Sequence, residues 1–178
     1  MFEKLAKNNN LFYSKLTRAI AVYDHKVYDR SDLDILNGAQ RNFIITKLKS
    51  LGFSQVSGNK LEFENTIMVF PKNAHIASSP LDLIKFTKRA EDDYLILTPT
   101  QLFLFLFERY FMEKDEELFT EIKELVQKLP VNLKKIKDIC LHEKFYEFYL
   151  EKYNEVTQLQ TQAIESKLKN KVHIGKML

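Results

Sequence analysis

The residues from Thr98 to Met112 constrain the fold most strongly, because they predict a helix that has to be buried. Thr98 is a good N-cap residue, Pro99 suits the first helical position, and Gln101 stands where a capping box places Gln or Glu. The stretch that follows, from Leu102, is apolar on nearly every side. We therefore expect this helix to be central, covered by the rest of the chain.

The segment before this helix predicts both helices and short strands. Apolar residues at helical spacing predict a helix over residues 11–25: Leu11, Phe12, Leu16, Ala19, Ile20 and Tyr23. Residues 32–36 predict a short helix that is capped by Ser31. Asn37-Gly38 predicts a turn or C-cap, and residues 39–51 predict a further helix. Alternatively, residues 31–51 form one bent helix.

Residues 53–70 alternate between apolar and polar side chains, which predicts two or three short strands around a hairpin at Ser57-Gly58-Asn59. Ser79 and Pro80 predict the start of a short helix over residues 81–86. Tyr94 to Leu97 is typical of a short buried strand.

The C-terminal half predicts three further helices, over about 115–129, 131–141 and 143–170. The last would extend about 45 Å, longer than a compact body needs, so it either lies across the body or projects toward a partner. Its aromatic and aliphatic stripe is the predicted partner-binding surface: Phe145, Phe148, Tyr149, Tyr153, Val156 and Leu159. Its aromatic residues could instead stack nucleic-acid bases, but helical spacing favours packing in a core or interface.

Charge is divided unequally along the chain. Residues 1–90 contain 14 Lys and Arg against 8 Asp and Glu, whereas residues 91–178 contain 13 against 16. The basic half could face phosphate or an acidic partner, or its lysines could simply be solvated. With only four Gly and four Pro, a sandwich or barrel rich in tight turns is disfavoured.

The single cysteine excludes an intramolecular disulfide, and the Ile-Cys-Leu context of Cys140 predicts a core residue. The N-terminus reaches Asn8-Asn9-Asn10 without the apolar stretch of a signal peptide. The longest apolar run, Leu102 to Phe107, is far shorter than the roughly 18 residues of a membrane span. We expect a cytoplasmic protein without membrane contact.

No motif predicts catalysis, a metal or a cofactor. The glycines at 38, 52, 58 and 175 are too dispersed for a phosphate-binding loop, and the histidines at 25, 75, 142 and 173 lack ligand spacing. Glu91-Asp92-Asp93 could hold a divalent ion, although a solvated turn is favoured. An enzyme using His75 or these carboxylates is the third hypothesis; we expect no enzymatic activity.

The order of helices followed by a hairpin resembles a winged helix-turn-helix, whose third helix enters the DNA major groove. The resemblance covers about 60 residues. It implies a nucleic-acid-binding set on the helix of residues 39–51 and on the wing: Arg41, Asn42, Lys47, Lys49 and Lys60. Winged helices also serve as protein-docking modules, so DNA contact does not follow from the fold.

A second resemblance lies in Ser79-Pro-Leu-Asp-Leu-Ile-Lys-Phe-Thr-Lys-Arg and Tyr94-Leu-Ile-Leu-Thr-Pro-Thr-Gln101. These residues resemble the small middle subunit of bacterial three-component, Lamassu-type defence systems. The resemblance covers at most residues 79–150. It implies an adaptor that accompanies an SMC-like ATPase and an effector in anti-phage or anti-plasmid defence, without chemistry of its own.

The predicted fold is an α-dominated α+β protein. A winged-helix-like part with a β-hairpin, residues 1–71, precedes a helical part, residues 72–178, that ends in a long helix; the two could be one continuous domain. The predicted function is a non-enzymatic accessory subunit of a nucleic-acid-associated complex, with larger protein partners and double-stranded DNA as a further partner. The alternative is a stand-alone winged-helix DNA-binding transcription regulator.

Overall fold

The computed structural model describes residues 2–23, 35–71, 93–140 and 145–175, with only the backbone described for residues 168–175. The helices in these ranges are α1 (Phe2–Ala6), α2 (Gly38–Ser50), α3 (Pro99–Glu113), α4 (Glu116–Lys128), α5 (Leu133–Cys140) and α6 (Tyr146–Gly175). The strands are β1 (Leu11–Ser14), β2 (Ala19–Val22), β3 (Ser54–Ser57), β4 (Lys60–Phe63), β5 (Thr66–Val69) and β6 (Tyr94–Leu97). The predicted α+β class is confirmed.

The strands within the described ranges form one mixed sheet in the order β1-β2-β6-β5-β4-β3. β6 lies parallel to both β2 and β5, whereas the outer pairs are antiparallel. The sheet therefore joins strands from both sides of position 71, the predicted boundary. The alternative of one continuous domain is compatible with this sheet. The division into residues 1–71 and 72–178 remains a prediction.

Alternating side chains of the central strands enter two hydrophobic cores. Ile20 and Ile96 pack with Ile44 and Leu48 of α2 on one face of the sheet. Ala21 belongs to the second core, which the helices from α3 to α6 build on the other face. The sheet is thus the middle layer between helices on both faces, an arrangement that buries β2 completely.

Two capping boxes determine where α2 and α3 begin. Thr98 and Gln101 exchange hydrogen bonds between side chain and backbone, with Pro99 at the first turn, which confirms the prediction for the buried helix. Asn37 and Gln40 form the same reciprocal pair at the start of α2. Asn37 therefore begins a helix, so the predicted turn or C-cap at Asn37-Gly38 is wrong.

The predicted helix over residues 11–25 is wrong, because residues 11–14 and 19–22 are the strands β1 and β2. Most of the apolar residues whose spacing predicts a helix lie instead in a buried antiparallel pair of strands, in which Leu11 is opposite Val22. Ile35 and Leu36 are not helical, while residues 31–34 of the predicted short helix lie outside the described ranges. The helix over residues 39–51 and the hairpin after it are confirmed as α2 and β3 to β5, but the winged-helix arrangement as a whole is not confirmed.

The predicted C-terminal helices are confirmed as α4, α5 and α6. Ten residues of α3 are buried, which agrees with its predicted central position. The predicted helix over residues 81–86 lies outside the described residues. None of the helices within the described ranges is long and apolar enough to cross a membrane.

Candidate interaction surfaces

The predicted nucleic-acid-binding residues lie on α2 and β4, and four of the five are exposed: Asn42, Lys47, Lys49 and Lys60. No acidic residue occurs between positions 38 and 61. This part of the molecule therefore carries a local excess of positive charge. Such a surface attracts polyanions and acidic proteins alike.

These residues do not share one face of α2. Asn42 and Lys49, seven positions apart, lie within about 20° of each other around the helix axis, on the side away from the buried Leu48. Lys47 lies roughly 160° from Lys49 around the same axis. A helix that reads a groove would present its contact residues on one side, so this spacing does not favour base recognition by α2.

Arg41 is engaged within the molecule. Its guanidinium carbon lies 4.2 Å from the ring centroid of Phe70, and Nη2 donates a hydrogen bond of 3.2 Å to the carbonyl oxygen of Gly58. These contacts hold the start of α2 against the β3–β4 turn and the end of β5. Bidentate recognition of a base by Arg41 would require both contacts to be given up.

Three of the six predicted partner-binding residues are core residues, which corrects their assignment to a surface. Phe145, Tyr149 and Val156 are buried. The ring centroid of Phe107 in α3 lies 5.9 Å from that of Phe145 and 5.2 Å from that of Tyr149. The Tyr149 hydroxyl donates a hydrogen bond to Leu133 at 3.2 Å, and burial raises the pKa of that hydroxyl. The aromatic half of α6 thus covers the chain's own central helix.

The other three, Phe148, Tyr153 and Leu159, are half-buried against the same core. Lys114 Nζ lies 3.7 Å from the centroid of the Phe148 ring, and Lys137 Nζ lies 5.4 Å from that of Tyr153. Lysine side chains therefore cover part of the ring surface that the core leaves accessible.

The second half of α6 leaves the core. Ile164 is 45% exposed, and the residues from 161 to 167 are exposed except for Ala163, which is half-buried. The helix continues from residue 168 to Gly175, which adds about 12 Å at 1.5 Å per residue. We call residues 161–175 the distal arm.

The distal arm contacts the body of the protein at a junction of two lysines. Lys167 Nζ donates to the carbonyl oxygen of Lys128 at 2.8 Å, and Lys128 Nζ donates to that of Ala6 at 2.7 Å. Burial, together with the nearby charge of Lys167, lowers the pKa of Lys128, and burial lowers the pKa of Lys167. The junction joins α6, α4 and α1.

The outer strand of the sheet, β3, is exposed at all four residues. Its register with β4 shifts between Gln55 and Ser57, so Val56 has no partner on β4. Val56 is 52% exposed. The outer strand therefore ends the sheet with a bulge that faces solvent.

The residues considered for chemistry give no site within the described part of the chain. His25, His75, Glu91, Asp92 and His142 lie outside the described residues, as does the side chain of His173. Cys140 is buried, as predicted. Within the described part of the chain, no three or more His, Cys, Asp and Glu side chains form a group that could hold a metal ion.

A polar cluster that the sequence does not predict lies under the β1–β2 turn. The Glu121 carboxylate of α4 accepts hydrogen bonds from the Ser14 hydroxyl and from the backbone N–H groups of Lys15 and Leu16. Arg109 of α3 donates to the Leu16 carbonyl oxygen. More than 90 positions separate these partners along the chain, so no local pattern in the sequence could have revealed the cluster.

Comparison of this chain with protein-family models, with curated proteins and with solved structures gives no significant match.

Proposed function

We propose that this protein is a non-enzymatic accessory subunit that binds a larger protein partner in a nucleic-acid-associated complex. The observation that carries the proposal is the division of α6 into an aromatic half in the core and a distal arm whose residues 161–167 are exposed except for the half-buried Ala163. The first half anchors the helix, so the arm can be presented in a defined direction. The resemblance at residues 79–101 is consistent with an SMC-like ATPase as the larger partner, in a defence complex.

The composition of the distal arm supports a docking role. A helix of about 15 residues is marginally stable in water on its own, so an arm beyond the core gains from packing against a partner. Within the arm, Ala163 and Ile164 continue at helical spacing the apolar stripe to which Leu159 belongs at the edge of the core, and they are flanked by the exposed Gln162 and Glu165. Burying such a stripe stabilises a complex by roughly 25 cal/mol for each Å² of apolar surface, before the costs of association.

The experiment uses the tagged full-length protein, captured from its native cells, with Ile164→Lys as the test variant. Met112→Lys is the matched control, because Met112 is 70% exposed but lies on α3. We expect one larger protein at a fixed stoichiometry in the wild type and in Met112→Lys, and its loss in Ile164→Lys. Thermal unfolding must show that both variants fold as the wild type does.

Two results would contradict either the adaptor itself or the docking role of its distal arm. One is the absence of any stoichiometric partner, and the other is a partner retained equally by Ile164→Lys. The first would favour a protein that acts alone, whereas the second would place the docking surface away from the distal arm.

The second candidate is the stand-alone DNA-binding regulator, for which the positive charge of the exposed Lys47, Lys49 and Lys60 favours contact with phosphate and not base recognition. It predicts binding of a random 30-base-pair duplex (about three helical turns) at low salt, with log K falling by about 0.9 for each phosphate contact per unit of log salt. Replacing the three lysines by Glu should abolish binding, whereas Lys134→Glu on α5 should not. No binding at low salt would exclude this candidate.

A further inference from the structure

We propose that the open edge of β3 is a docking site for an acidic, extended peptide segment of a partner protein, which would add to the sheet as a further strand. This inference goes beyond the proposed function, because it concerns a different surface from the distal arm. It also does not require that the arm bind anything.

The backbone of β3 can accept another strand. β3 is the last strand of the sheet, and β4 pairs with only one side of it. In an antiparallel pair, alternate residues direct their N–H and C=O groups away from the partner strand. Since all four residues of β3 are exposed, these outward groups pair with no other strand of the described part of the chain.

The side chains of β3 do not protect this edge in the usual way. Proteins commonly prevent edge pairing with Lys or Pro on the outer strand, and the sequence Ser-Gln-Val-Ser contains neither. The one protective feature is the bulge at Val56, which increases the local twist. A twisted edge fits poorly against a second rigid edge, whereas a flexible peptide can follow the twist.

Positive charge lies on both faces of the sheet beside β3. α2 runs alongside the strand in the opposite direction, because three residues connect Ser50 to Ser54 and Arg41 contacts Gly58 at the other end. Lys49 therefore lies near the start of β3, on the face that α2 covers. Lys60, opposite Ser57, lies on the other face, because the adjacent Leu61 packs into the α2 core.

This charge selects an acidic occupant over a second copy of the chain. Two β3 edges brought together would also bring together two sets of lysines, and like charges across an interface oppose association. Glu62, which stands opposite Ser54, is the exception on this surface. We therefore expect the acidic residues of the peptide to lie toward Lys60 and the Ser57 end of the strand.

A nucleic acid fits this edge less well than a peptide. Its phosphate backbone supplies hydrogen-bond acceptors, which can satisfy the N–H groups of β3 but not its C=O groups. A peptide strand supplies both donors and acceptors at the matching spacing.

The test uses a fluorescein-labelled peptide of five Glu–Thr repeats, with a peptide of five Lys–Thr repeats as the charge control. Val56→Pro removes the backbone N–H of the residue that has no Cα partner on β4, and Pro on an outer strand opposes pairing with a further strand. Val56→Thr keeps that N–H. Lys49→Glu with Lys60→Glu tests the charge, and Lys134→Glu is the matched control on an exposed site of α5.

We expect fluorescence anisotropy to show binding of the Glu–Thr peptide and not of the Lys–Thr peptide. Val56→Pro and the double lysine variant should each weaken binding about tenfold or more, while Val56→Thr and Lys134→Glu should stay within about twofold. Hydrogen exchange should slow at residues 54–57 when the peptide is bound. Ile164→Lys should bind the peptide normally, which separates this inference from the role of the distal arm.

Several results would overturn the inference. One is the absence of binding of the Glu–Thr peptide up to about 1 mM, a concentration at which even weak motif recognition would be detected. Another is that folded Val56→Pro binds the peptide as tightly as the wild type does. A dimer that Val56→Pro abolishes would assign the edge to a second copy of the chain. Duplex DNA binding that needs Lys49 and Lys60 but tolerates Val56→Pro, without peptide binding, would assign the surface to nucleic acid.

Discussion

The side-chain amide of Gln160 pairs with the backbone of Val131 in both directions. Oε1 of Gln160 accepts a hydrogen bond of 2.7 Å from the Val131 N–H, and Nε2 donates one of 3.0 Å to the Val131 carbonyl oxygen. Val131 is buried in the connection between α4 and α5. The same carbonyl oxygen also accepts a hydrogen bond of 2.9 Å from the Leu133 N–H. Gln160 is therefore the acceptor for the buried Val131 N–H and a second donor to the Val131 carbonyl, at the point where the helix leaves the core.

Replacing Gln160 by Leu should lower the free energy of unfolding by about 1–3 kcal/mol, because the buried N–H of Val131 would lose its acceptor. The Val131 carbonyl oxygen would keep its hydrogen bond from the Leu133 N–H. Urea unfolding measures the change. The matched control is Gln162→Leu, since Gln162 is exposed on the same helix and should change stability by less than about 0.5 kcal/mol. Equal effects of the two substitutions would contradict a specific role for the Gln160 pair.

Replacing Glu121 by Ala should destabilise the protein by about 1–3 kcal/mol, because the carboxylate accepts from a buried serine hydroxyl and two turn N–H groups. The amides of Lys15 and Leu16 should also exchange faster with solvent, a local effect that a general loss of stability would not confine to this turn. Glu124→Ala is the control, since Glu124 is exposed on the same helix. Unchanged exchange at residues 15 and 16 would contradict the prediction.

Thr98→Ala should cost about 1 kcal/mol of stability, within the range of 0.5–2 kcal/mol typical of lost N-caps. The hydroxyl of Thr98 accepts from the Gln101 N–H at 3.2 Å, and both residues are buried, so water cannot replace the missing acceptor. Thr98→Ser retains the acceptor and should restore most of the loss. Thermal unfolding distinguishes the variants, and a Ser variant as unstable as the Ala variant would show that the methyl group matters more.

Stability should fall as the pH rises from about 10 toward 12, in part through Tyr13. Burial first, and then the neighbouring Tyr94, raise the pKa of Tyr13 to about 12, whereas the unfolded chain ionises near its ordinary value of 10.0. Within this window the unfolded state loses a proton that the folded state keeps, so stability decreases with pH. Below pH 10 the hydroxyl is neutral in both states and contributes no pH dependence.

Tyr13→Phe should reduce this slope by up to about one proton, as measured by urea unfolding at several pH values. Tyr110 and Tyr149 also have raised pKa values, so the slope should be reduced and not abolished. The Phe substitution keeps the ring that stacks on Phe2 at 4.8 Å, which makes loss of folding at neutral pH unexpected. An unchanged slope would contradict the assignment to Tyr13.

The site residues were predicted less well than the helices of the C-terminal half. Helical spacing correctly indicated an apolar stripe on α6, but it could not say what covers that stripe. In the structure, Phe145, Tyr149 and Val156 pack in the core that covers α3. Likewise, the sequence places Arg41 on a basic helix, while its engagement with Phe70 and Gly58 depends on a hairpin that follows it by 17 positions.

By itself, the sequence determined those helices and strands that are defined by interactions between residues close together in the chain. The capping box at Thr98 and Gln101 and the apolar residues after it define α3, because helix hydrogen bonds and caps join residues three or four positions apart. The hairpin after α2 could be predicted for the same reason, since its strands are neighbours in the chain. Tertiary structure alone decided residues 11–22. Their apolar run fits a helix or a buried strand equally well, and the pairing of Ala19 with Leu95 in β6 settles the choice through hydrogen bonds between segments far apart in the chain.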